Sequence, residues 1–351
     1  MDTSLQRNEN NFDFLRLLAA SAVVVGHSFW LSGNAELEPV RQILGYADIA
    51  DIAVNLFFVM SGYLIAASWL NSRNVIDFLG KRALRIFPAL IVSTLVTVTL
   101  VGSLATRLPL GEYLQSPQTL GYLSNMVLLT QFQLPGVFVD NLFPNTVNGS
   151  VWTLPYEVAM YSILMLLGLC RLFNRTVVLA GLALLLLIHF VLIPELGIQS
   201  QVLYKGTRLG IFFFSGGALY LYRKQVRWNW KIAAVLLAAS LVSAGHERWM
   251  LVHTLTLPYL AIYLAHLRIP ALVKAGKYGD FSYGVYIFSF PAQQLIIFWQ
   301  PQLALSTFMV LSLVVSLTLA WFSWHLIEAP ALALKRYLPR TANAQLPLKA
   351  H

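Results

Sequence analysis

Charge and cysteine are what this sequence of 351 residues has least of. Only 11% of its residues are charged and 58% are hydrophobic, with a mean hydropathy of +0.66. An ordinary soluble domain carries about 25% charged residues, so that class is excluded. A single cysteine, Cys170, excludes a disulfide framework and any zinc site built on cysteines. No metal-ligand constellation is completed by other residue types, and no metal is expected. The polar start, MDTSLQRNENNF, lacks a basic n-region, and nothing after the first apolar run resembles a small-residue cleavage site, so no cleavable signal peptide is expected. Acidic residues are also few: 15 Asp and Glu stand against 24 Lys and Arg, for a net charge of +9. In a soluble protein that balance would suggest nucleic acid. Its distribution along this chain argues otherwise.

Ten apolar runs are long enough to be read as crossings of a hydrocarbon core about 30 Å thick. They lie near 13–31, 50–70, 84–104, 151–170, 176–194, 203–222, 231–245, 250–266, 281–299 and 303–327, the seventh being short. With the N-terminus in the cytoplasm, the inner side receives Arg7, Arg73, Lys81, Arg82, Arg85, Arg171, Arg175, Arg223, Lys224, Arg227, Lys231, Arg268, Lys274, Lys277, Lys335, Arg336, Arg340 and Lys349, which are 18 of the 24 basic residues. The outer side receives only Arg41, Arg107 and Arg248. Positive residues accumulate on the cytoplasmic side, so the sequence predicts an all-α membrane protein of about ten spans with both termini inside. Residues 1–330 form its membrane domain, and 331–351 a short cytoplasmic tail. No nucleic-acid partner is expected.

The polar groups inside the spans are the candidates for function, because each is costly in a bilayer. On the first span Arg16 and His27 are eleven residues apart, about three helical turns, and so share a face over about 16 Å. Either alone could be a snorkelling cation or a packed imidazole. Ser61-Gly62 in the second span lets a helix or a ligand approach the backbone. Arg82 and Arg85 are neighbours on one helical face ahead of Pro88, and two guanidinium groups suit phosphate; the same pair is also an ordinary positive-inside cluster. Segment 105–150 is long for a connection and could roof a cavity. Glu157, in the fourth span, needs a partner. Counted at 1.5 Å per residue it falls at the depth of His27, so the two are predicted to be able to touch. His189 reads as structural, Lys205 and Arg208 stand together at an outer boundary, and His325 and Glu328 read as an inner-surface pair.

Taken in order, the motifs resemble those of the membrane-bound acyltransferase-3 family. They are Arg16-x10-His27, FFVMSGYLI at 57–65, RALR with Arg82 and Arg85, SVWTLPYE ending at Glu157, TRLGIFFFSGGAL at 207–219, SYGVYIFSFP at 282–291 and HLIEAP at 325–330. The resemblance covers almost the whole chain. It implies an O-acyltransferase that moves an acyl group, usually acetyl from acetyl-CoA, to a carbohydrate such as a surface polysaccharide or a lipid-linked glycan, in the bacterial cytoplasmic (inner) membrane. It further implies that Arg16, His27, Arg82, Arg85 and Glu157 are functional. Acyl-CoA would be a co-substrate, with no bound cofactor.

Together these give an expected mechanism. Arg16, Arg82 and Arg85 hold the donor phosphates, and the pantetheine arm runs outward to His27. That imidazole is the base for the acceptor hydroxyl, oriented by Glu157. Arg208, Trp152 and Ser61 are candidates for the acceptor side. Two departures from the family stand out: Ser289 occupies a position where histidine is frequent, and the tail leaves no room for the soluble hydrolase-like domain some members carry. The rival expectation is a transporter with the same buried charges lining its path, against which no repeat between the two halves is visible.

Overall fold

The computed structural model describes residues 10–267, 269–273 and 277–338. Arg7, Arg268, Lys274, Arg340 and Lys349, counted above on the inner side, lie outside the described residues. Ten principal helices coincide with the ten apolar runs: α1 (Phe12–Leu31), α2 (Ile49–Asn71), α3 (Val75–Val96), α4 (Leu154–Leu169), α5 (Arg175–Leu187), α6 (Gln201–Leu221), α7 (Trp230–Val242), α8 (Trp249–His266), α9 (Ser282–Trp299) and α10 (Leu305–Ser323). Several start where the sequence offers a side-chain acceptor for a free backbone N–H. Asp48, Asn74, Asn174, Ser200 and Asn229 cap α2, α3, α5, α6 and α7 in this way. No strand forms among the described residues; Thr106 and Val137 make an isolated bridge.

Six helical stretches among the described residues are long and apolar enough to cross a membrane: Phe12–Leu31, Ile49–Asn71, Val75–Ala105, Gly149–Leu169, Arg175–Glu195 and Leu305–Tyr337. The expectation of about ten exceeds that number. α7 has 13 residues, and α6, α8 and α9 carry polar side chains such as Arg208, His253 and Gln293 that dilute their apolar character.

α2 stands at the centre, with α1, α4, α6 and α8 against it, while α9 and α10 pack on α1. The tightest approach is α2 to α6. A Cβ on Gly62 would stand 1.8 Å from the carbonyl oxygen of Phe213, and one on Gly216 would stand 2.0 Å from that of Val59. Only residues without a side chain permit this contact. α1 and α2 run antiparallel in a register fixed at both ends. Gly26 rests on Ala50, and Phe12 stacks on Tyr63 with ring centroids 5.7 Å apart. Ser61 is therefore level with Leu15, Val54 with Ala22, and His27 with Ile49.

Segment 106–148 is ordered around its own small core of Tyr113, Tyr122, Leu134, Val137, Phe138 and Val147. It docks on α9 through Asn141 and Gln294, whose side chains are 2.7 Å apart, and through Asn148 Nδ2, which donates to the Ile287 carbonyl at 3.0 Å. That last bond places Asn148 well below the outer end of α9. The chain has already descended among the helices when α4 begins at Leu154.

Candidate active site

A cavity of about 520 Å³ opens between α1, α2, α3, α4 and α9. α2 lines it with one stripe, Val54, Phe57, Phe58, Ser61, Leu64 and Ile65, spaced as a single helical face. Arg16, Arg82, Arg85, Glu157 and Ser61, all singled out from the sequence, meet on its walls. His27, Trp152 and Arg208 are not among the residues that line it.

The three arginines differ in what holds them. Arg16 Nη1 and Arg85 Nη2 donate to the same oxygen of Asp280, at 2.9 Å and 2.6 Å. Arg85 Nη1 reaches Glu328 at 3.3 Å, and Ser323 donates to the other oxygen of that carboxylate at 2.8 Å. The backbone N–H and hydroxyl of Ser282 complete Asp280. Burial by itself would raise the Asp280 carboxyl, but Arg16 and Arg85 outweigh it and hold the group well below the usual carboxylate range. Arg82 forms no ion pair among the described residues, and its Nε is buried with no hydrogen-bond partner. One guanidinium in the cavity thus stands without a carboxylate among the described residues.

Glu157 faces a different neighbour from the one expected. One of its oxygens accepts from Ser61 Oγ at 3.4 Å and from the Tyr161 hydroxyl, and Ser61 and Tyr161 are themselves 3.1 Å apart. Through Ser61 it stands level with Leu15, twelve residues and about 18 Å below His27 on α1. The predicted contact between His27 and Glu157 is not made. The depth count treated the fourth span as helical from the outer surface, whereas residues up to Thr153 enter as loop and a 3-10 turn, and α4 starts deep.

His27 lies above the cavity, its ring edge-on to Phe290 at 5.0 Å between centroids and its Nδ1 buried without a partner. Arg208 is ion-paired with Asp51 at 2.9 Å, and Lys205 sits over the Trp152 ring at 4.8 Å. His189, read as structural, has a companion in Thr207 at 2.9 Å. Ser289 is buried. The expected surface pair of His325 and Glu328 is corrected: a π-helical turn over Trp324–Glu328 turns Glu328 inward to Arg85 and leaves His325 exposed on the Trp321 carbonyl. The tail also contributes to the cavity, since Leu332 and Lys335 line it; residues 339–351 lie outside the described residues.

These motifs are shared with related chains. The sequence matches the acyltransferase domain family over residues 9–325. This chain belongs to the acyltransferase-3 family. An O-acetyl transferase of Shigella phage Sf6 is 33% identical over 347 residues, which cover 95% of this chain and 97% of that protein. Nodulation protein 10 of Rhizobium leguminosarum bv. viciae is 28% identical over 370 residues, covering 94% and 95%. No solved structure matches. The acyltransferase match takes in Arg16, His27, Arg82, Arg85, Glu157 and Asp280, while Glu328 and the tail residues of the cavity lie beyond it.

Sequence reasoning missed Asp280, the carboxylate that joins two of the acyltransferase's arginines. A signal was there: Asp280 is the sole acidic residue between Glu247 and Glu328. Tyr161, Thr153 and Tyr286 were also missed, because a hydroxyl in an aromatic-rich span carries no distinguishing pattern.

Proposed function

We propose that this enzyme is a membrane O-acetyltransferase that takes acetyl from cytoplasmic acetyl-CoA to a hydroxyl of a carbohydrate, such as a surface polysaccharide or a lipid-linked glycan. Its location would be the cytoplasmic membrane of a bacterium, with ten spans and both termini inside. The observation that carries the reading is the cavity in which Arg82 is left without a carboxylate beside the pair Arg16 and Arg85. A guanidinium held in that state suits a phosphate of coenzyme A, which it can bind through two parallel hydrogen bonds. The name of the phage Sf6 relative supports acetyl as the group and oxygen as its destination.

In this reading the donor phosphates rest at the arginines and the pantetheine arm rises along α2. The acceptor hydroxyl attacks the thioester carbonyl as His27 takes its proton. The C–S bond then breaks, and the departing thiolate receives that proton. Glu157, Ser61 and Tyr161 belong to the donor end, where they border the arm. Arg208 and Trp152 stay as candidates for the acceptor side. Coenzyme A is a substrate here, and the reaction requires no metal.

Purified enzyme incubated with labelled acetyl-CoA and candidate glycans tests this, with mass spectrometry of the glycans as the readout. An acetyl ester on a glycan, absent with His27→Ala enzyme, is the expected result. Consumption of the donor with no ester on any glycan would overturn it.

A further inference from the structure

The cavity stops short of His27, and what stops it is specific. At its upper end Thr153 Oγ1 and the Tyr286 hydroxyl are 2.7 Å apart, both buried, and the Tyr286 ring packs edge-on against Phe57 at 5.9 Å. All three residues line the cavity, as does Val54. Two chain segments show that His27 lies in the next layer. On α9, Phe290 stands one turn above Tyr286, about 6 Å further along, and it is the residue that touches His27. On the descending segment, Gly149 stands four residues before Thr153, and a Cβ there would meet the Phe290 ring at 2.6 Å. The register of α1 on α2 agrees: Val54 is level with Ala22, five residues and about 8 Å below His27.

We propose that Thr153 and Tyr286 form the door between the donor cavity and His27, and that they determine whether the acyl group meets the acceptor or water. The inference rests on the reading that the donor occupies the cavity and that His27 is the base. A thioester lying below the closed bond is out of reach of the imidazole. For transfer the bond must part and the Phe290 ring must move, which exposes the carbonyl to whatever hydroxyl occupies the outer side. A glycan hydroxyl gives the ester; water gives acetate and free thiol, its oxygen bonding to the carbonyl carbon as the C–S bond breaks and its proton passing through His27 to the leaving thiolate. Keeping the bond closed until an acceptor is seated suppresses that loss. Phe143, from the outer segment, also packs edge-on against Phe290, at 6.3 Å, so a glycan binding over segment 106–148 has a direct contact through which to shift the ring.

The test uses Thr153→Val, Tyr286→Phe and the double variant of the full-length enzyme, with Thr153→Ser as the variant that keeps the hydroxyl. Each is checked for a single symmetric peak in detergent. Free thiol released from acetyl-CoA without acceptor is measured beside transfer to the glycan. Either single variant should raise acceptor-independent thiol release about five-fold or more, the scale of one lost hydrogen bond. The double variant should equal a single one, because the same bond is removed. Thr153→Ser should match wild type, and adding His27→Ala should erase the leak. Unchanged thiol release in all variants with transfer intact, or a uniform fall of both rates, would overturn the door. A leak that survives His27→Ala would overturn it as the path to that imidazole. Absence of any transfer by the wild-type enzyme is a different result, and counts against the acetyltransferase reading itself.

Discussion

Three arginines that look alike in sequence have different partners in the structure, and substitution should separate them. Arg82 is the one without a carboxylate; on the proposed function Arg82→Ala should raise KM for acetyl-CoA by about ten-fold or more while kcat changes less, because the phosphate contact it would remove lies far from the reacting carbon. Lysine there should recover only part, since an ammonium lacks the planar fork. Asp280→Asn should instead show in stability. Its carboxylate side chain is 8% exposed and neutralises two cations, and removing one partner of a buried pair typically costs about 3–5 kcal/mol. Thermal unfolding in detergent measures that loss. The sign with pH follows from the depressed carboxyl. The stabilisation is complete above the ordinary carboxylate pKa of about 4 and is lost on acidification below it, a loss the Asn variant should not show. The arginines were legible in the sequence as a set, because charge inside an apolar run stands out. Their division was not legible, because it depends on Asp280 and Glu328, which lie about 200 residues or more along the chain from Arg85 and meet it only in the folded state.

At the scale of elements, the helices follow from apolar runs bounded by Asn, Asp and Ser caps, and all ten could be read from the sequence. Depth could not be read in the same way. Counting along the span puts Glu157 at the level of His27, and the count fails because residues 148–153 descend as loop and 3-10 turn before α4 starts. Nothing in the apolar pattern distinguishes a helical residue from a buried loop residue that finds its hydrogen bonds elsewhere, as Asn148 does on α9. At Ser61-Gly62, by contrast, the helix contact that the sequence offers as one of two alternatives is realised. Gly62 admits α6, and Ser61 faces the cavity. Gly62→Ala and Gly216→Ala should therefore lower the unfolding temperature, since the added methyl meets a backbone carbonyl that cannot turn aside; overpacking of this kind costs about 1–3 kcal/mol or more. Gly181→Ala in α5, where nothing lies within 4 Å, should be neutral or stabilising by up to about 1 kcal/mol.

For the molecule as a whole, the proposed function gives the site two ends. Arg16, Arg82 and Arg85 sit at one level of the bundle, and His27 lies about 16 Å along α1 from Arg16, beneath segment 106–148. If the division of basic residues gives the orientation, the donor enters from the cytoplasm and the acceptor from outside, so the acyl group crosses most of the bilayer within the protein. Reporter fusions after residues 75, 225 and 270 should then be cytoplasmic, and fusions near 120 and 247 external. The most direct measurement uses sealed right-side-out vesicles. Acetyl-CoA loaded inside should acetylate an impermeant glycan outside, and acetyl-CoA supplied only outside should not. Transfer seen only when donor and acceptor share one compartment would contradict the two-ended site.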